Sequence, residues 1–488
     1  MIGTPRQPSP GERRARRLAL VSPGARSRWA VKPLGVAALG EPVLVGVSVP
    51  DARHHLHVAG PTGTGKTTQL LNLAIAEARA GRGLAAFDPK GDLVRDLLER
   101  LPAEVAGRLV VIDPDESEAP PALNLLQLAA DPEDTTDYLV GVMAKVWAAH
   151  WGPRIEDLAR HAVLTLAHQP GATLADLPLL LADPSYRRAV LGTARRTADP
   201  AVYAGLAAFW GWYHTLTPGQ VSVQVGPLLA RLRAVLSRRF AAGLLGVAAS
   251  TFDLAEILNG GVLLVRLPPS LGDDTVRLVG SLLLAALLHA GQTRTNQPEH
   301  QRLDATLVVD ECHRFLNLPI GLDDALAEAR AQRVSLVLAH QHLGQLSGKA
   351  AAAVDANARN KVFFSLAPGD ARALAHHVTP YFAPEDLTRR DAYGVVCRPV
   401  VNGRDSEPFS LHTRPAPPPW PGRAVALRAA ARASGLPAAQ RQALAEARQL
   451  APARPHGGKA QPTGPAAPPQ PPPPEDGPMP PRPGRSPA

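Results

Sequence analysis

The chain carries only two cysteines in 488 residues, Cys312 and Cys397, and no Cys/His pair has zinc-finger spacing. A disulfide framework is excluded, and the composition points to a reduced, intracellular protein without a structural metal. Aromatic residues make up 4% of the chain, so a base-stacking surface for nucleic acid is not evident. Long hydrophobic runs are missing as well. The longest, residues 278–291, is about 14 residues and contains His289, whereas a spanning helix needs ~20. Arg13, Arg14, Arg16 and Arg17 precede too short an apolar stretch for a signal-peptide core. The expectation is a chain without a membrane span, either cytoplasmic or recruited to a membrane by a partner.

What is present is a core and a basic balance. Hydrophobic residues reach 45% and charged residues 19%, enough to exclude a wholly disordered protein. Lys plus Arg is 52 against 43 Asp plus Glu, a formal charge of +9 that favours polyanionic partners such as nucleic acid or anionic lipid. Lysines are few, so part of the excess reflects a preference for Arg. At roughly 150 residues per domain the length suggests about three. Residues 1–30 read as a flexible basic arm. Residues 451–488 hold 15 prolines and read as a disordered tail.

Between these ends, short apolar runs alternate with helix-length amphipathic segments. Strands are expected at 56–59, 84–87, 109–112, 262–267, 306–309, 335–339, 362–366 and 394–397, and helices at 67–80, 273–291 and 322–331. Val/Leu-rich runs without polar alternation suit strands covered on both faces, and the alternation predicts an α/β fold with a mainly parallel sheet. Residues 131–247 break the pattern with successive helices, at 135–150, 155–168, 184–195 and 222–236. We divide the chain into an arm (1–30), a first α/β part (31–130), an all-helical insertion (131–247), a second α/β part (248–414), a helical extension (415–450) and a tail (451–488).

Gly60-Pro61-Thr62-Gly63-Thr64-Gly65-Lys66-Thr67 fits G-x-x-x-x-G-K-[ST], after a strand and opening a helix. Its backbone N–H groups and the helix N-terminus form a cradle for phosphates, extending to Thr68. Lys66 should reach the β- and γ-phosphates of ATP, and the Thr67 hydroxyl should ligate Mg²⁺. An apolar strand ending in Asp310-Glu311 supplies the second half: Asp310 for Mg²⁺ and Glu311 for the attacking water. Gln341, ending the next strand, is either a sensor of the γ-phosphate or an ordinary loop amide. After the second strand, two readings stand: Asp88 assists the metal site, or Asp92 merely caps the next helix. His54, His55 and His57 lack a suitable acidic or Cys partner and read as packing or surface histidines. Arg231, Arg233, Arg238 and Arg239 form either a phosphate-contacting stretch or a solvated helix face.

The phrases HLHVAGPTGTGKTT, FDPKGDL, WGPRIEDLARHAVLTL, TLVVDECHRF, AEARAQRVSLVLAHQ and NARNKVFFSL, in this order, resemble the HerA/FtsK-type ATPases, specifically the conjugative coupling proteins of the TraD/TraG/VirD4-like kind. The likeness covers about residues 33–414. It implies a RecA-like P-loop NTPase fold with a helical insertion, and a hexameric ring that moves DNA with ATP and Mg²⁺, partnered by secretion-channel or relaxosome proteins. It also implies that Gln341 is the sensor and Arg330 an arginine finger for a neighbouring subunit, with Arg333 and Arg359 as alternatives. The transmembrane helices with which coupling proteins commonly begin are not found here. That leaves open a cytoplasmic member, one recruited by a membrane partner, or a DNA-processing ATPase outside conjugation. The rival readings of function are an ATPase motor acting on protein or nucleoprotein cargo, and a nucleotide-binding switch with negligible turnover.

Overall fold

The apolar runs become strands of one sheet. In the computed structural model, which describes residues 31–39 and 41–450, these are β1 (Val31–Leu39), β2 (Glu41–Ser48), β3 (Leu56–Ala59), β4 (Gly83–Asp88), β5 (Leu109–Ile112), β6 (Val262–Arg266), β7 (Ala305–Val309), β8 (Val334–His340), β9 (Asn360–Phe363) and β10 (Gly394–Arg398). A minor ribbon, β11 (Val400–Val401) with β12 (Arg404–Asp405), precedes β13 (Phe409–His412). The main sheet has 11 strands in the order β2-β1-β13-β10-β9-β3-β8-β7-β4-β6-β5. From β9 to β5 every pairing is parallel; β2, β1, β13 and β10 add an antiparallel flank. The expected parallel half is present. The β1–β2 hairpin and β13 had not been expected. The arm and tail at 1–30 and 451–488 lie outside the described residues.

Both faces of the sheet are covered, which explains why its strands show no polar alternation. Ala85, Phe87, Leu263 and Val265 pack into one buried cluster, whereas their neighbours Leu84, Ala86, Val262 and Leu264 pack into another on the opposite face. The second cluster is closed by helices Lys66–Arg79, Asp92–Arg100 and Arg423–Ala431. The first continues without a break into residues between β5 and β6, where the described chain is helical: Leu139, Val142, Leu166 and Trp210 share it with the sheet. Four of these helices start alike, with Asp131-Pro132, Asp183-Pro184, Asp199-Pro200 and Thr217-Pro218 at N-cap and N1.

Helix Asp273–Gln292 is longer than the apolar run suggested, and with the turn to Asn296 it is long and apolar enough to cross a membrane. That corrects the expectation that no such segment exists. The physical reason is local: 78% of its apolar window is buried within the fold, so its composition answers the demands of a core helix beneath the sheet.

The three N-terminal histidines are all buried, correcting the surface alternative. His55 Nδ1 accepts from the Leu336 N–H (3.0 Å), so its Nε2 donates to the Leu326 carbonyl (2.8 Å) and the ring is neutral. His57 Nε2 lies 2.7 Å from His340 Nε2. Burial pushes His55 and His340 down to about 4 from an ordinary value near ~6.5. Below that ordinary value the unfolded chain takes up protons that these rings refuse, so stability falls as pH drops from about 6.5 toward 4. At pH 5 this costs on the order of 2 kcal/mol per imidazole. The melting temperature of the nucleotide-free protein is expected to fall by roughly 5 °C between pH 7.5 and 5; a flat profile would refute neutral burial.

Candidate active site

The C-terminal ends of β3, β8, β7 and β4 lie side by side, the edge at which open α/β sheets hold ligands. At the end of β3 the backbone turns through residues 60–65 into helix Lys66–Arg79. Gly65 caps that helix at φ 112°, where a side chain is strained. Gly60 passes so close to the buried Phe364 that a Cβ would sit 2.5 Å from its Cβ. The Gly60 N–H donates to the His340 carbonyl (3.3 Å), tying the loop to the end of β8. Pro61, Thr62 and Gly63 are exposed; Thr64, Thr67 and Thr68 are half-buried. Lys66 is buried, its ammonium donating to the carbonyls of Gly60 (2.6 Å) and Pro61 (3.3 Å). Burial lowers its pKa against the opposing pull of Asp310 and Glu311. Neutral carbonyls are weak partners for a desolvated ammonium, and a polyphosphate in the loop offers charged ones.

Across from Lys66, Asp310 and Glu311 end β7. Burial and the adjacent Glu311 charge push the Asp310 carboxyl up to about 6, although Lys66 opposes this. A divalent cation relieves both causes, and Asp310 with the Thr67 hydroxyl is the hard oxygen set suited to Mg²⁺. Glu311 stands at φ 47°, an uncommon conformation for a non-glycine residue. Its Oε1 accepts from Gln341 Nε2 (2.6 Å) and from Lys90 Nζ (2.7 Å). Burial alone would raise the Glu311 pKa, but Lys90 and Gln341 outweigh it and hold the carboxyl below its ordinary range. Gln341 is thus at the carboxylate rather than in a free loop. Asp88 takes the capping role and Asp92 does not: Asp88 accepts from the N–H groups of Lys90, Gly91 and Val94, whereas Asp92 pairs with Arg95.

Lys90 was absent from the sequence expectations. Its signal is the FDPKG phrase in a chain that otherwise prefers Arg: the Asp88 turn aims a compact ammonium at Glu311.

Arg330 is not at this edge. It ends helix Leu322–Ala331 just before β8, and the seven residues of β8 at roughly 3.3 Å each separate it by about 20 Å from the loop. Its guanidinium is exposed and, among the described residues, has no hydrogen-bond or ion-pair partner. Arg333 donates to the Arg302 carbonyl and pairs with Glu299, and Arg359 pairs with Asp405, so both alternatives are already engaged. Of the basic stretch, Arg231 pairs with Asp274 (2.9 Å), while Arg233, Arg238 and Arg239 are exposed. Asp355, His376 and His377 bring three ligand-type atoms within 4.8 Å of one another, a grouping the sequence spacing did not reveal. The Lys361 ammonium 3.6 Å from Asp355 supplies positive charge there.

No protein-family model matches the sequence, and no curated protein matches it. Solved structures do match in shape. Plasmid coupling protein TrwB in complex with the ATP analogue ADPNP aligns at TM-score 0.56 and 18% identity, covering 83% of this chain and 92% of that one. TrwB in complex with ADP and Mg²⁺ aligns at 0.54 and 18%, covering 77% and 88%. VirB4 of Thermoanaerobacter pseudethanolicus aligns at 0.51 and 14%, covering 79% and 96%. The chain therefore has the P-loop NTPase fold of these proteins, with a mostly parallel sheet and many helices.

Proposed function

We propose that the protein is a Mg²⁺-dependent ATPase of the conjugative coupling kind, working as a ring that moves DNA. The observation that carries the reading is the convergence of Lys66, Asp310, Glu311 and Gln341, from three neighbouring strand ends, onto one phosphate-binding loop. Lys66 and the loop N–H groups bind the polyphosphate, and Thr67 and Asp310 hold the cation. Bound Mg²⁺ supplies charge neutralisation of the phosphate oxygens. Glu311 orients and polarises the attacking water, which lies within reach of Gln341, and Arg330 serves a neighbour's site. The likeness to TrwB and VirB4 supports the coupling assignment, and the exposed Arg233, Arg238 and Arg239 offer phosphate contacts without base reading.

The test is steady-state ATP hydrolysis by the full chain, with and without single- and double-stranded DNA, alongside Lys66→Ala. DNA is expected to raise the rate severalfold, with a steep loss at higher salt, and Lys66→Ala to abolish it. Hydrolysis indifferent to DNA would favour protein cargo. ATP binding without turnover at ring-forming concentrations would favour a nucleotide switch.

A further inference from the structure

The candidate site has two sides. On one side of β3, the ends of β8, β7 and β4 carry Gln341, Glu311 and Lys90, which meet at the Glu311 carboxylate. On the other side lie the end of β9, the start of the antiparallel β10 and the end of β13. That second side is built tightly against the loop. The Tyr393 N–H donates to the Thr64 carbonyl (2.8 Å), and the Thr413 N–H donates to the Tyr393 carbonyl (2.8 Å). A Cβ on Gly65 would meet the Tyr393 ring at 2.7 Å, so the ring lies directly against the loop.

Three features of this corner ask for a ligand. Tyr393 sits at φ 66°, a backbone that Gly or Asn adopts at lower cost than an aromatic residue. The residue is 47% exposed, although aromatic residues are scarce in this chain. The neighbouring Thr413 is 5% exposed, and its hydroxyl has no hydrogen-bond partner among the described residues. A buried hydroxyl left without a partner is costly unless something else satisfies it.

Resting on the nucleotide reading above, we infer that Tyr393 is the platform on which the base of the bound nucleotide stacks, on the side of the loop away from Glu311. A triphosphate whose γ end faces Glu311 leaves the loop at Thr67 and Thr68, and from there the ribose and base extend toward Tyr393, Thr413 and Arg414. The Asn72 amide, which donates to the Thr68 (3.0 Å) and Arg414 (2.8 Å) carbonyls, fixes the floor between them. A stacking platform reads a π-face and not a base edge, so purine nucleotides should be accepted alike.

The test titrates the full chain with ATP, GTP and inorganic tripolyphosphate, each with Mg²⁺. Tyr393→Asn removes the ring while keeping a residue at ease with positive φ, and Tyr393→Trp keeps a ring. Tyr393→Asn is expected to weaken ATP and GTP about tenfold or more, to similar extents, and to leave tripolyphosphate within about twofold. Tyr393→Trp should hold ATP within about threefold of the parent. Unchanged ATP affinity in Tyr393→Asn overturns the inference, as does a parallel loss of tripolyphosphate, which would make the ring a brace for the loop. If the parent protein binds neither ATP nor tripolyphosphate, the nucleotide site itself fails and the platform with it.

Discussion

Glu311→Gln is expected to lower kcat by about 10²–10⁴ while ATP affinity stays within a few-fold of the parent. The change is nearly isosteric and removes only the charge. In the structure that charge is held by Lys90 and Gln341, both on Oε1, and the carboxyl stays ionised at neutral pH because those partners outweigh burial. A carboxylate so well solvated by the protein is a modest proton acceptor, so the role proposed for it is to orient and polarise water rather than to take its proton outright. Glu311→Gln loses the ion pair with Lys90 and the charge that polarises water together. Steady-state and single-turnover hydrolysis, read beside equilibrium ATP binding, check this. A variant that binds ATP and retains kcat within about tenfold would place the water-activating group elsewhere and remove Glu311 from the mechanism.

The parts of this site that were legible in the sequence are those whose chemistry fixes spacing. The loop needs its glycines and Lys66 contiguous, so the motif is local, and β3 and its helix follow from it. Asp310-Glu311 could be read because a strand buried on both faces is a plain apolar run, and an acidic pair at its end stands out. The missed elements have the opposite character. Strand β1 contains Lys32, which looks polar but is fully buried, with its ammonium on Thr306 (2.6 Å), Ser335 (2.7 Å) and Glu77 (3.2 Å); only tertiary partners make such a residue a core residue. In the 131–247 region apolar periodicity points to helix starts at 135 and 222, whereas the Asp-Pro and Thr-Pro caps set them at Pro132 and Pro218. Lys90 and Tyr393 are single residues at strand ends, and the sheet order that brings them to the loop lies outside any local pattern.

Arg330→Ala is expected to leave ATP binding intact and to lower hydrolysis by about 10³–10⁵, the range over which an arginine finger acts. The geometry makes this a prediction about assembly. Arg330 and the loop occupy opposite ends of β8, so within one subunit the guanidinium cannot reach the phosphates, and it is exposed with no described partner to hold it back. In the proposed head-to-tail ring, a neighbouring subunit can present the end that carries Arg330 to the loop, and the prediction places the arginine's action there. Subunit mixing decides the matter. Arg330→Ala has an intact Glu311 but no finger to lend; Glu311→Gln has the finger but no working site. Each alone should be nearly inactive, while a 1:1 mixture that exchanges freely pairs an intact Glu311 with an intact Arg330 at about a quarter of its interfaces, and activity should return to about that fraction of the parent. Full activity in Arg330→Ala alone, or no recovery in mixed rings shown to contain both variants, would exclude Arg330 as the group supplied between subunits.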